Sequence, residues 1–594
     1  MLKPQVRLTP RLPAPRISAP RLPAPRLSAP RPLFAGDYDL INNIIIRPDG
    51  GVDFSWLAGK RAAAVVGPPG TGKTSALLRL ASSGSFECCN ASISLELKPG
   101  VLYVAFNRTA AEDAAERAGA VELHAVTVHA AGARALAAHL GLRVSEILVN
   151  LQRAPGGRIC GRYELCNGGG ECLGVEESIE VLRRCVAKRY GLKYSTDPFT
   201  PATGNRLFAL LDYAQHVAPE TGVRQLLDQA PPPAPHAISD YLSILKELER
   251  FDFTTALVEA ERLGLLYVIR DGGAALKVRT AFIDEAQDFS PLMWRYLRHA
   301  LADAKEVVFA LDFYQTVYDS LHGADMKYGR ELLGAVRASG GAVVYLEQSK
   351  RVADRVAEIA KKVLPDPDSE YVKWRGRTAE GDVYVVTPAE MVKLTREYLA
   401  GGKSVFALAP TNADVLWAAA LFLAHGLIPR DLKEMPSAIC KRLRAARILV
   451  CSRAGLAKPG DDAAQPDEVA VKLAGALRRR FQYALLGQPP DAQVCHYLDK
   501  AVKALRCGKG LSLPAPPPID VPNPPPLFVD TPYAAKGLEA DAVFVVDRLS
   551  FDVKPSPLAL YVALTRSRGN VYIVKAPGKR SWILPTVYKE AKRL

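Results

Sequence analysis

The chain has 594 residues, of which 48% are hydrophobic and 23% charged. At ~100–200 residues per domain that is too long for one core, and it is too apolar for a disordered, collagen-like or disulfide-dense secreted chain. Seventy-seven lysines and arginines against 62 aspartates and glutamates leave a formal charge of +15, which points to a polyanionic partner, nucleic acid before a membrane surface.

Residues 1–36 read as a basic Pro/Arg-rich disordered tail. Arg11, Arg16, Arg21, Arg26 and Arg31 recur every five residues, joined by Lys3 and Arg7 and by no acid. Proline at this density forbids the amphipathic helix of a transit peptide and favours extended backbone. The tail is either a solvated extension or a basic arm that tethers nucleic acid electrostatically. No apolar signal region follows Met1, and the longest apolar run, Val415–Ala424, is half of the ~20 residues a membrane-spanning helix needs. The chain is therefore expected in the cytoplasm or on the nucleoid, not secreted, without membrane contact, and with mainly reduced cysteines.

After Asp37, apolar strand-like runs alternate with helical stretches: 62–66 then 75–82, 101–106 then 109–118, 280–283 then 291–302, and 306–311. The alternation predicts an α/β fold with parallel sheets. Residues 130–250 and 430–510 are helix-rich and read as inserted helical units. Proline runs at Pro231–Pro235 and Pro514–Pro526 read as connections between packed units.

Gly67-Pro68-Pro69-Gly70-Thr71-Gly72-Lys73-Thr74 fits G-x-x-x-x-G-K-[ST], with a strand before it and a helix from Ser75 after it. Glycines let backbone N–H groups turn in around phosphate oxygens, and the helix N-terminus adds positive potential. Lys73 would reach the β- and γ-phosphates and Thr74 would ligate Mg²⁺. The strand-like Thr280–Ile283 ends in Asp284-Glu285-Ala286-Gln287-Asp288. Asp284 can hold Mg²⁺ and Glu285 can polarise an attacking water, at the strand end where α/β sites form.

With these motifs the sequence resembles superfamily 1 helicases of the UvrD/Rep type. Val104–Ala111, Thr127-Val128-His129, Asp312–Tyr318, Leu346–Arg351, Thr531–Glu539 and Tyr561–Arg566 resemble their motifs Ia, Ib, III, IV, V and VI, in order, over most of residues 60–575. The resemblance implies two RecA-like P-loop domains with parallel sheets, each carrying a mostly helical insertion, and ATP with Mg²⁺ between them. The implied division is the first RecA-like domain at 37–129 and 251–335, interrupted by a helical insertion with a cysteine cluster at 130–250. The second would be at 336–428 and 514–594, interrupted by a small helical insertion at 429–513.

It further implies that Arg351 and Arg566 face the γ-phosphate, Gln315 senses it, and Gly537 and Glu539 lie at the nucleotide, Glu539 on the ribose. Phe106, Asn107, Thr127, His129, Tyr318, Thr531 and Lys536 would contact single-stranded DNA or a tailed duplex, RNA remaining open as a substrate. The implied activity is a monomeric ATP-dependent translocase and 3′–5′ DNA helicase acting in DNA repair. A nucleotide-controlled nucleic-acid switch without unwinding is the alternative. Several family features are missing. No glutamine lies between Asp37 and Gly67, Lys350 stands where an aromatic precedes the motif IV arginine, and Tyr533 replaces a histidine.

Cys160, Cys166, Cys172 and Cys185 fall within 26 residues of the first insertion, beside glycine-rich turns. Four thiols so placed could bind Zn²⁺ or an iron–sulfur cluster, although no C-x₂-C pair is present; disulfides or unligated thiols are the other readings.

Overall fold

The computed structural model describes most of residues 41–425 and of 527–594; the stretches left out include 153–159, 167–171, 195–202, 317–322 and 550–555. The tail at 1–36, Tyr318, the proline run at 514–526 and, but for its first residue, the expected insertion at 429–513 lie outside the described residues.

Two six-stranded sheets with parallel pairing carry the fold. The first comprises β1 (Arg61–Val66), β2 (Val101–Ala105), β3 (His124–Thr127), β4 (Thr280–Ile283), β5 (Glu306–Leu311) and β6 (Ala342–Tyr345), in spatial order β6-β1-β5-β4-β2-β3. The second comprises β7 (Val383–Val386), β8 (Val405–Leu408), β9 (Leu527–Asp530), β10 (Ala542–Asp547), β11 (Val571–Lys575) and β12 (Lys592–Arg593), in order β9-β8-β10-β11-β7-β12. Central strands such as β4, β5 and β10 are buried along their whole length, as strands covered by helices on both faces must be. This is the mixed α/β architecture of RecA-like P-loop domains.

The strand at 342–345 shifts one expected boundary. It pairs in parallel with β1 from Ala63↔Ala342 to Val66↔Tyr345, so the first sheet closes only after the helix Met326–Ala338, beyond the expected division at 335/336. The sequence obscured this because helix and strand follow β5 without a compositional break. The start of the first insertion also moves. The helix Val128–Leu140 packs against Phe253–Arg262 so closely that a side chain on Gly132 would collide with Leu257, and both helices belong to the first lobe's core. A separate hydrophobic core formed by residues 149–245, with Ile41, Ile44 and Ile46, defines the helical insertion. The Pro231–Pro235 run is not a linker but opens the insertion's helix Ala234–Glu247, with proline in its first turn, where a missing N–H costs nothing.

A partly buried ionic cluster fastens the insertion to the lobe. Arg183 donates to both oxygens of Asp212 at 2.8 and 2.7 Å, beneath the rings of Phe208 and Tyr241. The Tyr241 hydroxyl donates to Asp252 at 2.7 Å, and Asp252 caps the lobe helix through the Thr255 N–H at 2.7 Å. Removing one member of a buried pair costs ~3–5 kcal/mol, and the residual exposure of Arg183 and Asp212 sets this pair at the low end, about 3 kcal/mol. Arg183→Met is therefore expected to destabilise the protein by about that amount in chemical denaturation followed by circular dichroism, although its side-chain volume is largely kept.

Candidate functional site

The site grows from the carboxyl ends of adjacent strands. The phosphate loop leaves β1, Asp284 leaves β4 and Asp312 leaves β5, as expected of an open parallel sheet. Gly70 and Gly72 adopt φ of +73° and +94°, and the helix Lys73–Ser83 starts directly from Gly72. A side chain on Gly70 would run into Ser349 and the β-carbon of Arg351, so glycine is needed both for conformation and for the approach of the second lobe. Gly67 is hemmed in by Thr71 and Leu346. Pro68 accepts hydrogen bonds from the Thr71 hydroxyl at 2.8 Å and the Lys73 ammonium at 3.3 Å, and Gly67 accepts from Lys73 at 2.8 Å. Lys73 is thus folded onto its own loop, 4.0 Å from Asp312. Ser75 turns outward and accepts from Arg117 at 2.9 Å.

The Thr74 hydroxyl donates to Asp284 Oδ2 at 2.7 Å, and the Tyr103 hydroxyl donates to the same oxygen at 2.6 Å. Burial, then the neighbouring Glu285, raises the Asp284 carboxyl against these donors. Glu285 takes the left-handed conformation at φ +52°, a strained arrangement for a residue with a β-carbon, and accepts from Gln287 at 2.5 Å. Burial would raise its carboxyl too, but Lys536 and Lys73 override that and hold it below the usual range.

The second lobe closes on these groups. Ser349 donates to the Pro69 carbonyl at 3.0 Å and the Lys350 N–H to Gly70 at 2.8 Å. Arg351 forms an ion pair with Glu539 at 2.5 Å, and Glu539 also meets Arg568 at 3.5 Å. Arg566, buried, donates to Gln315 Oε1 at 2.7 Å, while Gln315 Nε2 donates to Asp312 at 2.6 Å. Burial and the nearby Arg351 push the Arg566 guanidinium down to about 9. Gly537 precedes this corner with φ +81°.

The structure therefore brings Gly67 to Thr74, Asp284, Glu285, Gln315, Arg351, Arg566 and Glu539 into one seam between the lobes. Lys536, expected on nucleic acid, has its ammonium in this seam, bonded to Asp288 and to the Gln315 carbonyl at 2.6 Å, with Glu285 at 4.0 Å. Three acceptors in a buried pocket outcompete solvent for the charge. Burial pushes Asp288 up to about 7 even against the pull of Lys536.

Of the other residues expected on nucleic acid, Phe106, Asn107, Thr127 and His129 lie at one end of the first sheet. Phe106 stacks near Phe289, Asn107 caps the helix Arg108–Ala118 through Ala110, and Thr127 caps the helix Val128–Leu140 through Ala130. His129 stands edge-on to His216, and burial drops its imidazole to about 4, so it is neutral and offers no charge to a phosphate. Thr531 lies in the second lobe at the end of β9.

Sequence reasoning missed Tyr371, whose hydroxyl donates to Asp312 at 2.7 Å, and Gln287, whose carbonyl oxygen accepts from the Asp312 N–H at 3.0 Å. Gln287 was within reach, being inside the acid motif. Tyr371 lies in no motif.

Nothing in the described residues supports a metal site at the cysteine cluster. Cys160 pairs with Cys185 and Cys166 with Cys172, with Cα separations of 5.2 and 5.6 Å. Among the described residues no group of His, Cys, Asp and Glu is arranged to hold a metal ion, and no helix is long and apolar enough to cross a membrane.

Comparison with known proteins agrees with the two halves of the seam. Residues 56–320 match an AAA domain and residues 526–574 a UvrD-like helicase C-terminal domain. No curated protein matches the chain. Among solved structures, the arterivirus nonstructural protein 10 (helicase) in complex with DNA is similar at 10% identity, covering 88% of this chain and 61% of that one, with a TM-score of 0.29. The two family matches fall on the phosphate-loop half and the motif V–VI half of the chain, in the order the motifs require.

Proposed function

We propose that the chain hydrolyses ATP in the seam between its lobes and uses the cycle to move along single-stranded DNA from 3′ toward 5′, as a helicase. The observation that carries this reading is the convergence of Arg566, Lys536 and Arg351 from one lobe on Gln315, Glu285 and Gly70 of the other. Thr74 and Asp284, two hard oxygen donors held together beside the phosphate loop, fit Mg²⁺. When bound, Mg²⁺ would neutralise charge on the β- and γ-phosphates.

The protein's own groups do the rest. Lys73 leaves the Gly67 and Pro68 carbonyls for the phosphates. Glu285, kept ionised by Lys536 and Lys73, orients and deprotonates water. Arg566 and Arg351 exchange Gln315 and Glu539 for the γ-phosphate, where a guanidinium offers parallel donors and fixed charge. Because those exchanges cross the seam, phosphate occupancy and lobe position are coupled. Phe106, Asn107, Thr127, His129 and Thr531 would line the strand's path. The neutral His129 would meet bases rather than phosphates, a contact worth ~1–3 kcal/mol per stacked base.

Hydrolysis of each of the four NTPs with and without single-stranded DNA tests the motor. ATP turnover should rise several-fold with DNA, and equal rates would end the motor reading. Lys350 and the absent upstream glutamine favour a second reading, a nucleotide-controlled switch with weak base selectivity. Duplexes with 3′ and 5′ tails separate the two, since a 3′–5′ helicase displaces the strand only from the 3′-tailed substrate and a switch displaces neither.

A further inference from the structure

We infer that Tyr103 is a positioning residue whose hydroxyl holds the metal-binding carboxylate of Asp284 and thereby sets the Mg²⁺ requirement of the site. The inference rests on the nucleotide site proposed above and adds a residue outside every motif.

Tyr103 is the central residue of β2 and pairs in register with Phe282 of β4. Side chains alternate along a strand, so Asp284, two residues beyond Phe282, emerges on the face that Tyr103 occupies. That face packs beneath the phosphate helix, among Val65, Leu77 and Val308. Tyr103 is fully buried there, and a phenol in the interior of a parallel sheet needs a partner for its hydroxyl. Its partner is Asp284 Oδ2, at 2.6 Å.

The carboxylate is held on both oxygens. Oδ2 takes Tyr103 and Thr74, and Oδ1 takes the Glu285 N–H at 2.9 Å. Thr74 and Glu285 belong to the reacting apparatus and must adjust when nucleotide binds. Tyr103 is anchored in the sheet and has no such duty. It is the fixed donor that keeps Asp284 in one orientation, so the ordering cost is met before a cation arrives. Partners of this kind behind a metal ligand typically tune affinity by about 10- to 100-fold.

The test is Tyr103→Phe in the full chain, which keeps the ring and removes only the hydroxyl. Binding of a fluorescent ADP analogue is followed while Mg²⁺ is titrated, and Mn²⁺ binding with ADP is read by electron paramagnetic resonance; neither needs turnover. The cation concentration at half-saturation should rise about 10-fold, while nucleotide binding without cation and the thermal midpoint of the ligand-free protein stay as in the wild type. Tyr103→Leu, also lacking the hydroxyl, should move the cation midpoint in the same direction, so the result does not hang on one variant's folding. A midpoint equal to that of the wild type in both variants overturns the role of Tyr103. A wild-type protein whose nucleotide binding ignores the cation overturns the site reading beneath it.

Discussion

A Glu285→Gln variant is expected to bind nucleotide as tightly as the wild type and to turn it over at least about 100-fold more slowly, the usual worth of a positioned general base. The expectation follows from where the carboxylate sits. It leaves β4 one residue after Asp284, in a left-handed turn that aims it into the seam rather than back along the sheet. Its Oε2 is held by Gln287, and Lys536 stands 4.0 Å away. Glutamine keeps the shape and the acceptor for Gln287 but cannot take a proton. Nucleotide affinity, which depends on the phosphate loop and not on this group, should survive. Equilibrium binding of a fluorescent ATP analogue, beside single-turnover hydrolysis, separates the two effects. Near-wild-type turnover would move the base elsewhere, and joint loss of binding and turnover would mean that Glu285 supports the loop itself.

The seam also explains why these residues act as a unit. Asp312 is its hub: one oxygen accepts from Tyr371 and the Tyr314 N–H, the other from Gln315, and its own N–H donates to Gln287. Gln315 passes the arrangement to Arg566, and Gln287 passes it to Glu285. Gln315 and Glu285 are thus three hydrogen bonds apart, through Asp312 and Gln287. Arg566 and Glu285 are joined by contiguous hydrogen bonds, one of which uses the backbone N–H of Asp312.

What could be read from the sequence follows from how local each signal is. Strands 280–283 and 306–311 are short apolar runs bounded by charged or polar residues, and the structure places both within a residue of the expected limits. The phosphate loop encodes its shape in its own glycines. The seam contacts of Lys536 could not be read because its partners, Asp288 and Gln315, lie 248 and 221 residues away, and nothing at 531–539 distinguishes an outward lysine from an inward one. Tyr371 and Tyr103 were invisible for the same reason: each looks like an ordinary core aromatic until the facing carboxylate is known. The cysteines resisted reading because spacing alone does not fix pairing.

Lys536→Met should lower kcat roughly 10- to 100-fold, in line with the ~1.5–3 kcal/mol carried by hydrogen bonds to charged groups, and should shift the acid limb of the kcat profile to higher pH. Methionine keeps the length and apolar stem, so the pocket stays filled. The ammonium, however, is what pulls the Glu285 carboxyl below its usual range against the opposing effect of burial. Without it, burial dominates and the carboxyl rises. Glu285 must be ionised to accept a proton, so activity requires a pH above its pKa, and raising that pKa moves the inflection upward. Asp288 gives the same sign: already at about 7, it loses its partner and becomes protonated over a wider range. Lys536→Arg, which restores the charge, should return the inflection toward the wild-type position even where its bulkier head leaves kcat reduced. A profile that keeps its acid limb in Lys536→Met would show that the lysine holds the lobes together without tuning the base, and a loss of DNA binding without a loss of basal turnover would return it to the nucleic-acid path.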